Sequence, residues 1–378
     1  MGQRYSGKQV IRAGEIFLKD PLEVTSEQVD SAMDVLSYWR QEHEIPLENA
    51  LDILKEDTLK KDRDAIFAKR MKRFASIVAK LQRFDAMKLK NMQDIGGCRV
   101  IVSSQKKLYQ IVRELKKRPN FKNGKLVKRY KDYIENPKDD GYRGYHLIGS
   151  FNGSTGDQRT IELQIRTIIQ HDWATALEIV DLFTGQALKS NQGKADWKRF
   201  FKLVGDHFAR MDEIHLFTEK DNREQFYKYE KIVNEEPSYA ASGLEIQEYE
   251  SKLKVKKLLQ AFAASLKIAD EQISLHKVDG YVLIRVDTSK KEVRSQLFNK
   301  SQNELAEKKY IEYEKISVKQ PNLVVALVST TAVGGIKEAY PNYFADSTDF
   351  ITYLDHILSA PFARKESLLQ RLLKGTGL

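Results

Sequence analysis

Cysteine is nearly absent from this sequence: Cys98 is the only one in 378 residues. A lone thiol excludes an internal disulfide and a cysteine-built zinc site, and it fits a reducing compartment. Its expected role is that of a small buried apolar side chain. Long apolar runs are missing as well. None reaches the roughly 18 residues that a membrane span needs, and the opening MGQRYSGKQVIRAGE lacks the apolar core of a signal peptide. No membrane association is expected, and the default location is the cytoplasm. Proline is sparse, at 8 residues, and no Gly/Ser/Pro-rich tract or internal repeat is visible, so disorder on the scale of a domain is not expected.

What is there suits a folded chain with 41% hydrophobic and 31% charged residues. At this length about two domains are expected. The net charge of +10 is unevenly spread. Residues 60–90 hold 11 basic and 3 acidic side chains, residues 105–131 hold 11 and 1, and the rest of the chain sums to −8. Cations gathered in one part of a chain suit a polyanion such as ATP, a guanine nucleotide or RNA, although solvated helix faces produce similar runs.

Apolar spacing predicts helices over 28–56 and 64–84, and the β-branched CRVIV run after Gly96-Gly97 predicts a strand from Asp94 to Ser103. A helix through Leu115 should follow, then strands near 126–132, 144–151 and 159–166, then helix from Ile168 to about Lys231. The expected fold class is α+β: a mixed β-sheet flanked by helices, spanning residues 1–235. NEEPS at 234–238 interrupts a charged helical pattern and marks a smaller α/β domain over 236–378. That domain is expected to hold a helix at 243–268, strands at 281–287 and 322–330, a helix at 301–315 and two closing helical stretches.

The chemistry-bearing residues cluster in the first part. If 70–83 is helical, Lys72, Ser76, Lys80 and Arg83 fall within an arc of about 80°, opposite Phe74, Ile77, Val78 and Leu81. Such a face suits a triphosphate. Asp94 and Glu162 are the carboxylates to pair, as hard oxygen ligands that hold Mg²⁺ against phosphates. Strand alternation points Glu162, Gln164 and Arg166 the same way. The segment KDYIENPKDDGYRGYH, 131–146, combines cations, aromatics and a turn: Lys131, Lys138 and Arg143 can hold phosphates and Tyr142 can stack on a base. His146 and His171 are further phosphate donors by type.

Arg70-x-Lys72-x3-Ser76-x3-Lys80, Asp94-Ile95-x-Gly97-x-Arg99-Val100, Lys131-Asp132-Tyr133-Ile134-x2-Pro137-Lys138-x2-Gly141-Tyr142-Arg143-x2-His146 and Glu162-x-Gln164-Ile165-Arg166-Thr167 occur in that order. They resemble the motifs of RelA/SpoT synthetases over roughly residues 10–230. The resemblance implies transfer of the β,γ-pyrophosphate of ATP to a ribose 3′-hydroxyl. By it, Arg70 and Arg99 sandwich adenine, Lys72, Ser76 and Lys80 hold phosphates, and Asp94 binds Mg²⁺. Glu162 binds metal and helps activate the hydroxyl, and Tyr142 stacks on the acceptor base, with Lys131, Lys138, Arg143, His146, Gln164 and Arg166 around it. Gly144-Tyr145 stands where this family usually has Ser-Leu. The adjacent pairs His171-Asp172, Asp206-His207 and Asp355-His356 are too scattered for the family's His-Asp hydrolase domain.

Tyr340-Pro341-Asn342-Tyr343 resembles the Tyr-x-x-Tyr element of antitoxins that neutralise toxic small alarmone synthetases, and QHDWATALE at 170–178 is similar to the same group. A synthetase joined to such a domain resembles the CapRel-type single-chain toxin–antitoxin. This narrower resemblance implies pyrophosphorylation of the tRNA 3′ CCA end, inhibition by the C-terminal domain through Tyr340 and Tyr343, and relief by a phage protein. An enzyme making (p)ppGpp from GDP or GTP, and an inactive RNA-binding module, remain as alternatives.

Overall fold

The computed structural model describes residues 4–20, 22–122, 130–153, 156–184, 188, 193–215, 223–260, 280–287, 290, 292–320, 323–329 and 348–362. They form two compact units, each discontinuous in sequence. The first comprises the described residues within 1–136, 143–168 and 264–345; the second comprises those within 137–142, 169–263 and 346–378.

In the first unit, helices α1 (Gly7–Ile16), α2 (Ser26–Gln41) and α3 (Glu44–Leu59) precede strand β1 (Ile66–Met71) and helix α4 (Phe74–Arg83). Thr25 and Ser6 cap α2 and α1 with reciprocal glutamine bonds, which fixes where each helix starts. Then come β2 (Gly96–Val102), α5 (Gln105–Leu115), the single turn α6 (Pro119–Lys122), β3 (Tyr130–Asp132), β4 (Tyr145–Asn152) and β5 (Gln158–Thr167). The five strands make one mixed sheet in the order β1-β2-β5-β4-β3, parallel only between β2 and β5.

Residue alternation divides this sheet into an apolar and a polar face. Cys98, Val100, Val102, Leu147, Leu163 and Ile165 pack with Leu47, Leu51 and Leu54 of α3 and with Leu108, Ile111, Val112 and Leu115 of α5. Cys98 is 2% exposed and burial pushes its thiol pKa up, as befits a core residue. A separate cluster joins Val10, Leu36 and Trp39 to Phe74, Ile77 and Leu81, so the apolar side of α4 is anchored on α1 and α2.

The same unit contains a second sheet, β7-β6-β8, formed by β6 (Gly280–Asp287), β7 (Glu292–Asn299) and β8 (Leu323–Ser329), with the helix Asn303–Lys319 packed on Leu283, Phe298 and Val325. The strand β7 has no counterpart in the expectations from sequence. Its residues EVRSQLFN are too polar to stand out, and pairing with β6 over eight residues supplies the order.

The second unit is helical among its described residues: α7 (Ile168–Thr184), α8 (Ala195–Glu213), α9 (Arg223–Glu235), α10 (Pro237–Leu253) and the helix Thr348–Ser359. Glu236 separates α9 from a helix that begins at Pro237, both within the second unit. Phe201 and Phe208 of α8 meet Phe350 at 6.3 and 5.2 Å. Fully buried His207 bonds Tyr229 Oη at 2.7 Å and Ser242 Oγ at 2.8 Å, and burial lowers its pKa to about 4, so it is neutral at pH 7. Among the described residues, no helix is long and apolar enough to cross a membrane.

Candidate active site

The polar face of the five-stranded sheet is read directly from its register. Arg70, Gly97, Glu162 and Ile148 lie in one row across β1, β2, β5 and β4; Ala68, Arg99, Gln164, His146 and Lys131 lie in the next, out to β3. Residues two apart on a strand share a face, so Arg70, Arg99, Lys131, His146, Glu162, Gln164 and Arg166 all project to one side. Arg70 and Arg99 are diagonal neighbours, a relation that sets residues about 7–8 Å apart and their Cβ atoms somewhat closer. Guanidinium groups stack readily on aromatic faces, so two arginines set this close on one surface suit a flat aromatic ring.

One expectation is corrected here. Residues 66–71 are a strand, and the helix starts at Phe74, so Lys72 does not belong to a helical face with Ser76 and Lys80. Pairing with β2 captures these residues, because Ile66-x-Ala68-x-Arg70 can line the polar face while Phe67 and Met71 pack on the core below. The two lysines nevertheless converge. Lys72 Nζ lies 2.7 Å from Asp94 Oδ2, and Lys80 Nζ lies 2.8 Å from Asp94 Oδ1. Ser76 is half-buried one turn before Lys80 on α4.

The junction between β1 and α4 is held by a residue that sequence reasoning missed. Arg40, near the end of α2, donates Nε and Nη2 to the Lys72 carbonyl at 3.2 and 2.9 Å, while the Lys72 N–H donates to Ile95 O at 2.7 Å. Both ends of the Lys72 peptide are therefore fixed next to Asp94. No sequence signal marks Arg40, which reads as one more cation in the last turn of a surface helix.

Glu162 anchors the other half of the site. His146 Nδ1 is 2.9 Å from Glu162 Oε1, Gln164 Nε2 donates to Glu162 Oε2 at 2.7 Å, and Arg166 Nη2 donates to Gln164 Oε1 at 3.1 Å. The edge of Tyr133 abuts His146 at 5.2 Å. Arg99 and Arg166 are nearly buried, whereas Lys131 is exposed.

Burial opposes ionisation of both carboxylates, yet both titrate below their ordinary range. For Asp94 the burial cost is outweighed by Lys72 and Lys80, with Glu162 opposing them. For Glu162 it is outweighed by His146, with Gln164 and Lys72 adding to the effect. Burial lowers the Lys72 pKa, and Asp94 counteracts it. A depressed carboxylate pKa stabilises the fold fully above the unfolded value, about 4.3 for glutamate, and that contribution is lost as pH falls through the lower folded value. Replacing His146 by glutamine removes a principal cause of the Glu162 shift. The acid limb of the rate–pH profile should then move to higher pH; an unchanged limb would remove His146 from this role.

The donor set can be tested against a divalent cation. Among the described residues no three His, Cys, Asp or Glu side chains gather in one place, so there is no all-protein cage. Two carboxylates do suit Mg²⁺ arriving with a triphosphate, because this ion is commonly bound by one or two carboxylates plus phosphate oxygens. Both Asp94 oxygens are engaged by ammonium groups, and phosphates are the natural exchange partners for those lysines.

Lys138 and Tyr142 belong to the second unit, as does His171, which α7 buries at 6% exposure. The turn that carries Lys138 and Tyr142 is closed by Gly141 N–H to Lys138 O at 2.9 Å and Tyr142 N–H to Asp140 Oδ1 at 2.9 Å. Gly141 has φ +92°, and a Cβ there would come within 2.9 Å of Lys202 Cα, so the position requires glycine. The Tyr142 ring is 8% exposed, under the Lys138 ammonium at 4.5 Å and against Trp173 at 6.4 Å. Arg143 lies in the first unit and is half-buried. Tyr340 and Tyr343 lie outside the described residues.

Residues 69–179 match the family described as "Region found in RelA / SpoT proteins". Over 114 residues the chain is 35% identical to GTP pyrophosphokinase YwaC of Bacillus subtilis, which covers 28% of this chain and 52% of that protein. Over 112 residues it is 37% identical to GTP pyrophosphokinase YjbM of the same organism, covering 28% and 51%. Among solved structures, small alarmone synthetase 1 from Bacillus subtilis bound to its product pppGpp aligns at TM-score 0.38 and 25% identity, over 46% of this chain and 93% of that one. The polar face built from Arg70, Asp94, Arg99, His146 and Glu162 thus falls inside the residues that match this family, in a chain that spans about half the length of the curated relatives it matches.

Proposed function

We propose that this face transfers the β,γ-pyrophosphate of ATP to a ribose 3′-hydroxyl. The observation that carries the reading is the pairing of two kept-ionised carboxylates, Asp94 between Lys72 and Lys80 and Glu162 beside His146, with the Arg70–Arg99 spacing on the same polar surface. Adenine occupies the guanidinium slot, and Lys72, Ser76 and Lys80 hold the phosphates. Asp94 and Glu162 would hold Mg²⁺, which neutralises charge on the phosphoryl oxygens when bound. The acceptor 3′-oxygen attacks the β-phosphorus, its proton passes to the Glu162 carboxylate, the bond from the β-phosphorus to the α,β-bridging oxygen breaks, and AMP leaves. Gln164 and His146 keep the Glu162 carboxylate oriented for this, and Arg166 keeps Gln164 in place.

For the acceptor we propose the 3′ CCA end of tRNA, which would make the activity an inhibitor of translation. The sequence elements at 170–178 and 340–343 support this reading, as does the cation surplus over 105–131, which exceeds what a nucleotide needs. The names of the relatives, both GTP pyrophosphokinases, favour GDP or GTP as a second reading. Supplying γ-labelled ATP with either tRNA or GDP separates the two: label on tRNA supports the first, and label appearing only in a guanine nucleotide overturns it. For either acceptor, base stacking by Tyr142 requires the 137–142 turn to open, because its ring is covered as it stands.

The same proposal assigns residues 236–378 an inhibitory, antitoxin-like role over 1–235, through Tyr340 and Tyr343, relieved by a phage protein in anti-phage defence. A tyrosine ring suits the Arg70–Arg99 slot for the same cation–π reason as adenine, so inhibitor and ATP would compete. Substituting Tyr340→Ala is expected to arrest growth on induction, whereas the parent chain is tolerated. Normal growth with soluble, folded variant would overturn the inhibitory role. A point substitution is the cleaner test, because truncation after 235 would strip α10 and the helix Thr348–Ser359 from the core of the second unit.

A further inference from the structure

The basic stretch 105–131 is only partly absorbed by the site. Its helix α5 lies on the apolar face of the sheet, with Leu108, Ile111, Val112 and Leu115 in the core beside Val100 and Ile165, so its outward side faces away from the nucleotide side of the sheet. Three of its cations are neutralised locally: Lys107 by Asp62, Arg118 by Asp57 and Glu56, and Lys117 by Glu114. Lys106, Arg113, Lys116 and Lys122 are exposed, and Glu114 is the single acidic residue of the whole stretch. Lys106 and Arg113 are seven residues apart, two turns, and so stand on the same side of α5 about 10 Å from each other.

Among the described residues, this surface meets the nucleotide face at the edge strand β3. Tyr130 is 41% exposed, and Lys116 Nζ sits 3.8 Å above its ring. The next residue, Lys131, points to the opposite side of the sheet, in register with His146 and in the row of Gln164 and Arg99. Lysine at a sheet edge also discourages edge-to-edge pairing, which would account for Lys131 alone but not for the cations of α5.

We infer that α5 and β3 form an RNA-docking surface, around whose edge a strand passes from Lys106, Arg113 and Lys116 to Lys131 and the Glu162 row. The inference rests on the tRNA-acceptor reading above. An RNA is favoured over an acidic protein because Lys116 stands over the half-exposed Tyr130, whose ring runs parallel to Tyr145 at 5.9 Å, and so sets a phosphate contact beside an aromatic pair, a combination by which proteins hold single strands.

The test uses the full chain and deacylated tRNA. The triple variant Lys106→Glu/Arg113→Glu/Lys116→Glu, and a milder version with glutamine at the same positions, are compared with the parent by fluorescence anisotropy across a salt series. Melting temperature and the KM for ATP serve as controls. The glutamine variant is expected to bind tRNA at least about tenfold more weakly, with the slope of log K against log salt shallower by about 2 to 3, and KM for ATP unchanged. Parental affinity and slope in both folded variants would overturn the surface. If the parent labels GDP and not tRNA while the variants still lose RNA binding, the acceptor reading falls and the surface stands. If the parent binds no tRNA, both fall.

Discussion

In the chain carrying Tyr340→Ala, replacing Glu162 by glutamine is expected to lower the proposed pyrophosphoryl transfer by about a thousandfold, with the melting temperature little changed. Proton removal by a positioned carboxylate commonly contributes 10²–10⁴-fold, and the amide can neither accept the 3′-hydroxyl proton nor carry charge toward a cation. The fold should tolerate the change because the amide retains the bonding pattern. Its oxygen can accept from Gln164 Nε2, and its nitrogen can donate to His146 Nδ1 if that nitrogen is unprotonated. Neither group is left buried and unsatisfied, which is what usually makes such a substitution costly. A folded Glu162→Gln chain that transfers at the parental rate would remove Glu162 from the chemistry.

A second large effect separates two adjacent glycines. Gly97 sits on the polar face between Arg70 and Glu162, and a Cβ built there meets only Glu162 O, at an ordinary 3.4 Å. Gly96 sits on the other face, where a Cβ would come within 2.9 Å of Ile161 Cδ1 and 3.7 Å of the Leu47 Cβ. Gly97→Ala should therefore fold normally and, if ATP binds as proposed, raise the KM for ATP at least about tenfold, because the methyl stands between Arg70 and Glu162. Gly96→Ala should leave KM unchanged and cost about 1 kcal/mol of stability or somewhat more, the usual scale for one extra methyl in a packed core. Steady-state kinetics and thermal melts of both variants check this, and equal KM values for the two would contradict the assigned geometry of the face.

These glycines show how far the sequence could be read. The run after Gly96 declares a strand, and period-two spacing puts Glu162, Gln164 and Arg166 on one face; the hydrogen bonds from Gln164 to Glu162 and from Arg166 to Gln164 bear that out. The apolar side of α4, Phe74, Ile77 and Leu81, was equally legible, because helical spacing survives wherever one side is buried. Strand β1 was not. IFAKRM flows without a break into FASIVAKL, and nothing local separates a six-residue strand from a helix; the pairing of Arg70 with Gly97 decides it, at a separation of 27 residues. The lysine pair on Asp94 therefore arises differently from the helical arc, with Lys72 supplied by the strand–helix junction and Lys80 by the helix. Arg40 illustrates a further limit, since a side chain that acts by bonding a backbone carbonyl 32 residues away leaves no mark in composition or period. The burial of Tyr142 was hidden for a similar reason: it depends on Trp173 and on the turn at Gly141.

The fate of two labels tests the proposed pyrophosphoryl transfer on the Asp94–Glu162 face most directly. Parallel reactions of the full chain carrying Tyr340→Ala, with Mg²⁺, pooled tRNA and GDP, receive ATP labelled at either the α or the γ phosphate. The α-label is expected to appear as AMP and the γ-label on an acceptor in equal amounts, and both are expected to vanish with Glu162→Gln. Formation of ADP instead of AMP, or release of the γ-label as free phosphate with no labelled acceptor, would contradict it.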